Sequence, residues 1–195
     1  MSIIEDGTGS GKKAKVNQDN KLETSSVTLS EYEEAALDGR AFNANTEILA
    51  LTGTGESAVF YLKNNEAQDV SIQGFFVGVG SLSGTSTDSV LVRAYFNPTG
   101  GTLITDESAI TVVNRDAGSA KTFSFDCYKG GDGKTITGQD ATPVLYQFQG
   151  GSSRVFGSVN LVIPRGTSIA ITIDLNTSGG ANVYAGFTGF LRQAD

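Results

Sequence analysis

Residues 158–175 restrict the possible folds of this chain more than any other stretch. Val159, Leu161 and Ile163 recur at every second position, Pro164-Arg165-Gly166-Thr167 interrupts, and Ile169, Ile171, Ile173 and Leu175 resume the alternation. A period of two places successive side chains on opposite faces of a pleated strand, and the β-branched residues fit it. The pattern predicts two strands, the second with a buried Ile/Leu face and a polar face of Ser168, Ala170, Thr172 and Asp174. Pro164 lacks the N–H that a central ladder needs and Gly166 supplies turn freedom, so the connection predicts a hairpin.

The same grammar recurs after Ala44. Strands are expected over 46–51, 57–63, 89–96, 121–127, 144–148 and 182–191, with Gly53-Thr54-Gly55, 63–66 and Asn97-Pro98 to Gly101 as connections. Leu103, Ile110 and Val112 mark shorter pieces. Val70 and Ile72 alternate in one phase, whereas Val77 and Val79 alternate in the other, which predicts a β-bulge near Gly74. Phe75, Phe76, Phe187 and Phe190 cannot share one core face at strand period. Either a bulge turns them inward or some of them serve a subunit interface. Val183, Ala185, Phe187 and Leu191 share a face of the last strand. The glycine content, 25 of 195 residues, carries no triplet period and so reads as turns and bulges rather than a collagen-like rod. The expected fold is an all-β antiparallel β-sandwich of jelly-roll type.

Two segments stand outside this pattern. Residues 1–23 are polar and glycine-spaced, with too little apolar surface to form a core. They predict an extended N-terminal arm that gains order by lying on a neighbouring chain, with the sandwich over 24–195. Residues 25–42 combine Val27 and Leu29, which suit a short strand, with Ser30 to Gly39, which has helix signals. Ser30 is the N-cap candidate, acids follow in the first turn, and Gly39 is the stop.

Composition narrows the chemistry. The chain has no histidine, which removes the commonest general base and the most frequent zinc ligand. Cys127 is the single cysteine, so no intrachain disulfide or thiolate cluster exists. Its place beside Phe123 and Phe125 predicts a buried, inert thiol. A formal net charge of −7 opposes tight binding to nucleic-acid phosphate. No apolar run has the roughly 20 residues a membrane helix needs, and Met1 is not followed by the apolar core of a signal peptide.

Two glycine-lysine stretches fail as phosphate loops. Residues 7–13 are one residue short between the outer glycines and end in lysine. Gly133-Lys134-Thr135 has Tyr128 in the place of the first glycine and no helix signal after it. Glu33-Glu34 and Asp106-Glu107 read as solvated surface rather than glycosidase pairs. Asp126, Asp132 and Asp140 flank a glycine-rich loop without EF-hand spacing, so a calcium site there is the lesser reading. Trp is absent, although the Tyr residues keep a sugar-stacking surface possible. No enzyme activity, cofactor or metal is expected.

Three stretches carry a resemblance. These are Asp6-Gly7-Thr8-Gly9 with Ala14-Lys15-Val16 and Asn20-Lys21-Leu22; Gly39-Arg40-Ala41-Phe42-Asn43; and Tyr61-Leu62-Lys63-Asn64-Asn65 with Ile163-Pro164-Arg165-Gly166. Together they resemble tailed-bacteriophage virion proteins, most closely small head decoration (cement) proteins. The resemblance spans most of the chain, through short structural motifs, and related arms occur on neck, tail and head-fibre proteins. It implies a homotrimer on the virion head, assembled in the host cytoplasm, that bridges subunits of the major capsid protein. Nucleic acid and membrane are not expected partners. The arm residues implied in binding are Asp6, Gly7, Gly9, Lys12, Lys13, Lys15, Val16 and Leu22. The rival reading is an adhesin or carbohydrate-binding module of a phage tail, neck or fibre.

Overall fold

The computed structural model describes residues 3–5, 13–16, 22–23, 29–52, 55–81, 89–140, 144–149, 153–175 and 180–193. Met1–Ser30 and Glu31–Asp195 form separate compact units. In the first unit, β1 (Ile3–Glu5), β2 (Lys13–Val16) and β3 (Leu22–Glu23) pair antiparallel with β2 in the middle.

The second unit is two antiparallel sheets packed face to face. Its strands are β4 (Ala41–Asn45), β5 (Leu49–Leu51), β6 (Gly55–Asn64), β7 (Val70–Ser81), β8 (Ser89–Phe96), β9 (Val113–Asn114), β10 (Phe125–Lys129), β11 (Val144–Gln149), β12 (Ser153–Ile163), β13 (Ser168–Leu175) and β14 (Ala181–Leu191). One sheet runs β10-β6-β13-β8-β11, here the charged sheet. The other runs β12-β7-β14-β4-β9, with β5 also on β14, here the uncharged sheet after its inner strands β7, β14 and β4, which carry no charged residue. Setting aside the short β5 and the edge additions β9 and β10 leaves eight strands. Numbered along the chain, they stand in the order first, eighth, third, sixth in one sheet and second, seventh, fourth, fifth in the other. That interleaving is the jelly roll.

The alternation in 158–175 is real, but the two strands do not form a hairpin. β12 pairs with β7 in the uncharged sheet, while β13 pairs with β6 and β8 in the charged sheet. Residues 164–167 are therefore the crossover between layers. Asn64, fully buried at the end of β6, holds it: its amide nitrogen donates to the carbonyls of Ile163 and Gln68, both at 2.9 Å. Its backbone N–H reaches Thr167 and its carbonyl accepts from the Gly166 N–H.

Ile169, Ile171, Ile173 and Leu175 enter the inter-sheet core with Phe42, Phe60, Ile72 and Phe187. Phe60 and Phe187 meet edge to face at 5.1 Å across the layers. The opposite face of β13 was expected to be solvated, yet Ser168, Ala170 and Thr172 are buried and only Asp174 is half-buried. The one-turn helix α2 (Thr102–Thr105) covers it, packing Leu103 against Ala58, Tyr61 and Ala170.

The expected bulge in β7 is present. Thr188 pairs with Gly74 and Gly189 with Ile72, leaving Gln73 extra, so both Ile72 and Phe75 reach the core. The four phenylalanines separate. Phe75 and Phe187 lie in the core, and Phe76 is half-buried on the outer face beside Tyr184. Phe190 is buried on that outer side beneath helix α1 (Glu31–Leu37), against Tyr32, Ala35 and Ala41. The helix starts after Ser30 and stops at Leu37, two residues before Gly39, whose φ of 66° is left-handed backbone that glycine adopts without strain.

Three expected strands are altered. The 46–51 strand is reduced to β5, because Glu47 takes a left-handed φ of 61° and Thr46 is buried, accepting a hydrogen bond from Ala185 N–H. The 121–127 strand starts only at Phe125; before it, side chains satisfy the backbone, Ser119 for Lys121 N–H and Glu66 for Ser124 N–H. Leu103 lies in α2 rather than a strand, since Gly101 (φ 105°) turns the chain into a helical turn. Leu29 lies outside any strand; Val27 and the 53–54 turn lie outside the described residues.

Candidate functional site

Of the arm residues, Lys13, Lys15 and Val16 lie on β2 and Leu22 on β3. Lys13 stands opposite Glu5, Lys15 opposite Ile3 and Glu23, and Val16 opposite Leu22. Asp6, Gly7, Gly9 and Lys12 lie outside the described residues.

In the uncharged sheet, Val77, Val79, Val183, Ala185 and Ala44 point into the core, so their strand neighbours form the outer face. On β7 these are Ser71, Gly74, Phe76, Gly78 and Gly80. On β14 they are Asn182, Tyr184, Gly186 and Thr188, and on β4 Asn43 and Asn45. None of these is charged at neutral pH; the bordering strand β12 brings Arg154 opposite Gly78. A Cβ at Gly78 would collide with the ring of Tyr184, and one at Gly186 with the ring of Phe76. The aromatic rings thus lie down over glycines and keep the face flat. Asn43 Oδ1 is buried on this face with no hydrogen-bond partner among the described residues.

The outer face of the charged sheet is built differently. Glu56 and Asp174 stand directly opposite each other on β6 and β13, and Arg93 on β8 stands opposite Thr172. Like charges across a ladder repel. Here the Arg93 guanidinium joins both carboxylates, 3.3 Å from Glu56 Oε2 and 3.2 Å from Asp174 Oδ2. Burial works against the Arg93 charge, but Glu56 and Asp174 outweigh it and raise its pKa. Thr172 hydroxyl donates to Glu56 Oε1, and Tyr95 is also hydrogen-bonded to Glu56. Burial, then the Glu56 charge, raise the Tyr95 pKa.

Beside this cluster the loop after β10 returns over the sheet and leaves a cleft of about 110 Å³. Glu56, Ala58 and Thr172 line its sheet side; Lys134, Thr135, Ile136 and Gln139 line its loop side. The loop is docked by Ala58 N–H on the Lys134 carbonyl at 2.7 Å and by Thr102 and Thr135, which bond each other. Lys134 ammonium is held by the carboxylate and the carbonyl of Asp106. That hydrogen bond, then the Lys134 charge, lower the Asp106 pKa.

Comparison with protein-family models, curated proteins and solved structures finds no match to this chain.

The other residues weighed from sequence separate. Glu33 and Glu34 are exposed on α1, Asp132 accepts from Thr52, and Asp140 accepts from Asn97. Among the described residues no three His, Cys, Asp or Glu gather as metal ligands. No helix follows Gly133-Lys134-Thr135. Cys127 is buried in the core, where burial pushes its thiol up to about 12. Sequence reasoning missed Glu56, Arg93, Tyr95 and Gln139. For Glu56, Arg93 and Tyr95 the signal was the polar phase of the alternation in β6 and β8, but which polar positions meet depends on register, which the pattern leaves open; Gln139, in the loop, had no such signal.

Proposed function

We propose that this protein is a structural component of a bacteriophage virion. It decorates and stabilises the capsid by bridging neighbouring copies of the major capsid protein, as a homotrimer. The observation that carries this reading is the uncharged, flat outer face of β7, β14 and β4. Each copy bears a formal net charge of −7, so copies repel over most of their surface. A face without charged side chains is where a second copy approaches at least cost. Interface cores are depleted of charge and enriched in Phe and Tyr, the residues that Phe76 and Tyr184 supply here.

The arm supports the second half of the reading. The outer edges of its β1 and β3 would add hydrogen bonds along a capsid subunit, and Lys12, Lys13 and Lys15 would meet acidic capsid surface. The location on the head rests on the resemblance of the three motifs above.

Sedimentation equilibrium of the full chain should give a trimer, and Thr188→Glu should convert it to monomer with unchanged circular dichroism. Removing residues 1–22 should leave the sandwich folded and the trimer intact while capsid occupancy on purified phage heads falls sharply. A wild-type chain that is monomeric and does not bind heads would overturn the proposal; undiminished occupancy by the truncated chain would refute the role of the arm.

A further inference from the structure

We infer that the cleft between the charged sheet and the 130–139 loop is a binding site for a neutral hydroxylated ligand, one saccharide unit of a glycan. Hydrogen-bonding capacity in the cleft is left unused. A carboxylate offers about four lone-pair sites. Glu56 gives three of them to Thr172, Arg93 and Tyr95, which fixes its plane and leaves an acceptor site over. An ammonium has three N–H donors. Lys134 spends two on Asp106, which anchors it and leaves one. Gln139, half-buried in the cleft wall, has no side-chain partner among the described residues, so its amide offers both a donor and an acceptor.

Free acceptors and donors on two walls, fixed in place by their other bonds, match adjacent hydroxyls, each of which both donates and accepts. Ile136 adds a partly exposed apolar contact that suits the C–H face of a sugar ring. The charge argues for neutrality. Glu56, Asp174 and Asp106 against Arg93 and Lys134 leave three negative and two positive charges, a net of one negative, and both cations are already paired. An anion finds no free cation, and a phosphate finds no helix N-terminus. A cleft of about 110 Å³ takes part of one ring and leaves the rest of a chain outside. Affinity for a single sugar unit is accordingly in the millimolar range, and useful binding comes from several copies acting together.

The test uses the full chain and a panel of neutral methyl glycosides, with sialyllactose as the anionic control, read by saturation-transfer and amide chemical-shift NMR. At least one neutral glycoside should shift the amides of Glu56, Thr172, Ile136 and Gln139. Gln139→Ala and Glu56→Gln should each weaken it about tenfold. Thr188→Glu, on the opposite sheet, should leave it unchanged, which separates this site from the self-association face. No shift with any neutral glycoside, equal binding by Gln139→Ala, or preference for the anionic control would overturn the assignment.

Discussion

Replacing Asn64 by alanine tests how the two layers are joined. The side chain makes three hydrogen bonds, donating to Gln68 and Ile163 carbonyls and accepting from Glu66 N–H, each at 2.9 Å. At a net value near 1 kcal/mol apiece, their loss costs about 3 kcal/mol. The Ile163 carbonyl, on a residue only 1% exposed, loses a donor that solvent does not readily replace, which carries the total to roughly 4 kcal/mol. That is a large fraction of the 5–15 kcal/mol typical of a domain. Urea unfolding followed by tyrosine fluorescence should show the midpoint falling with unchanged slope.

Asn64→Asp sharpens the test. Its carboxylate would face two carbonyl oxygens in a buried site, which raises its folded pKa above the unfolded value near 3.9. The folded state then holds the proton more tightly, so this variant should gain stability as pH falls through that raised pKa, toward the wild type. A loss below about 1 kcal/mol in Asn64→Ala, or an Asn64→Asp variant indifferent to pH, would refute the claim that this amide clamps the crossover.

Two further outcomes follow from the ionisable groups. Cys127, with its thiol raised to about 12 by burial, should resist alkylation at pH 8 in the folded protein and react at an ordinary rate once unfolded in urea. Asp106 should titrate below the ordinary aspartate range by NMR, and Lys134→Met should return it there. Because its folded pKa is depressed, the Lys134 contact supports the fold above the unfolded pKa and is lost as pH falls through the folded one.

Strand identity was legible where alternation ran longest: 89–96 and 168–175 match β8 and β13 residue for residue, and the phase change in β7 revealed its bulge. Layer assignment was not. Pro164-Arg165-Gly166-Thr167 has hairpin chemistry, and nothing local says that β13 turns to a different sheet; the crossover is held by distant residues, Asn64 at Ile163 and Asp69 at the Arg165 N–H. Burial of the outer face of β13 likewise depends on Leu103, which arrives from a distant loop. Two of the three stretches that carried the resemblance proved to be joints. Asn64 binds Ile163 and Gly166, and Arg40 binds the Leu191 carbonyl at 2.7 Å. The cleft was illegible for the same reason as the layers, because Glu56, Arg93 and Gln139 meet only through register and a folded-back loop.

The pairing of the first and eighth strands has a mechanical outcome. Ala41 opens β4 directly opposite Phe190 near the close of β14, so the chain enters and leaves the sandwich side by side at one end. Tension between those two points falls on one hydrogen-bonded rung at a time, and the ladder unzips under modest force. A load passing across the flat face, perpendicular to the strands, is shared by both layers at once. A body of this kind resists being pressed or sheared far better than being pulled by its ends.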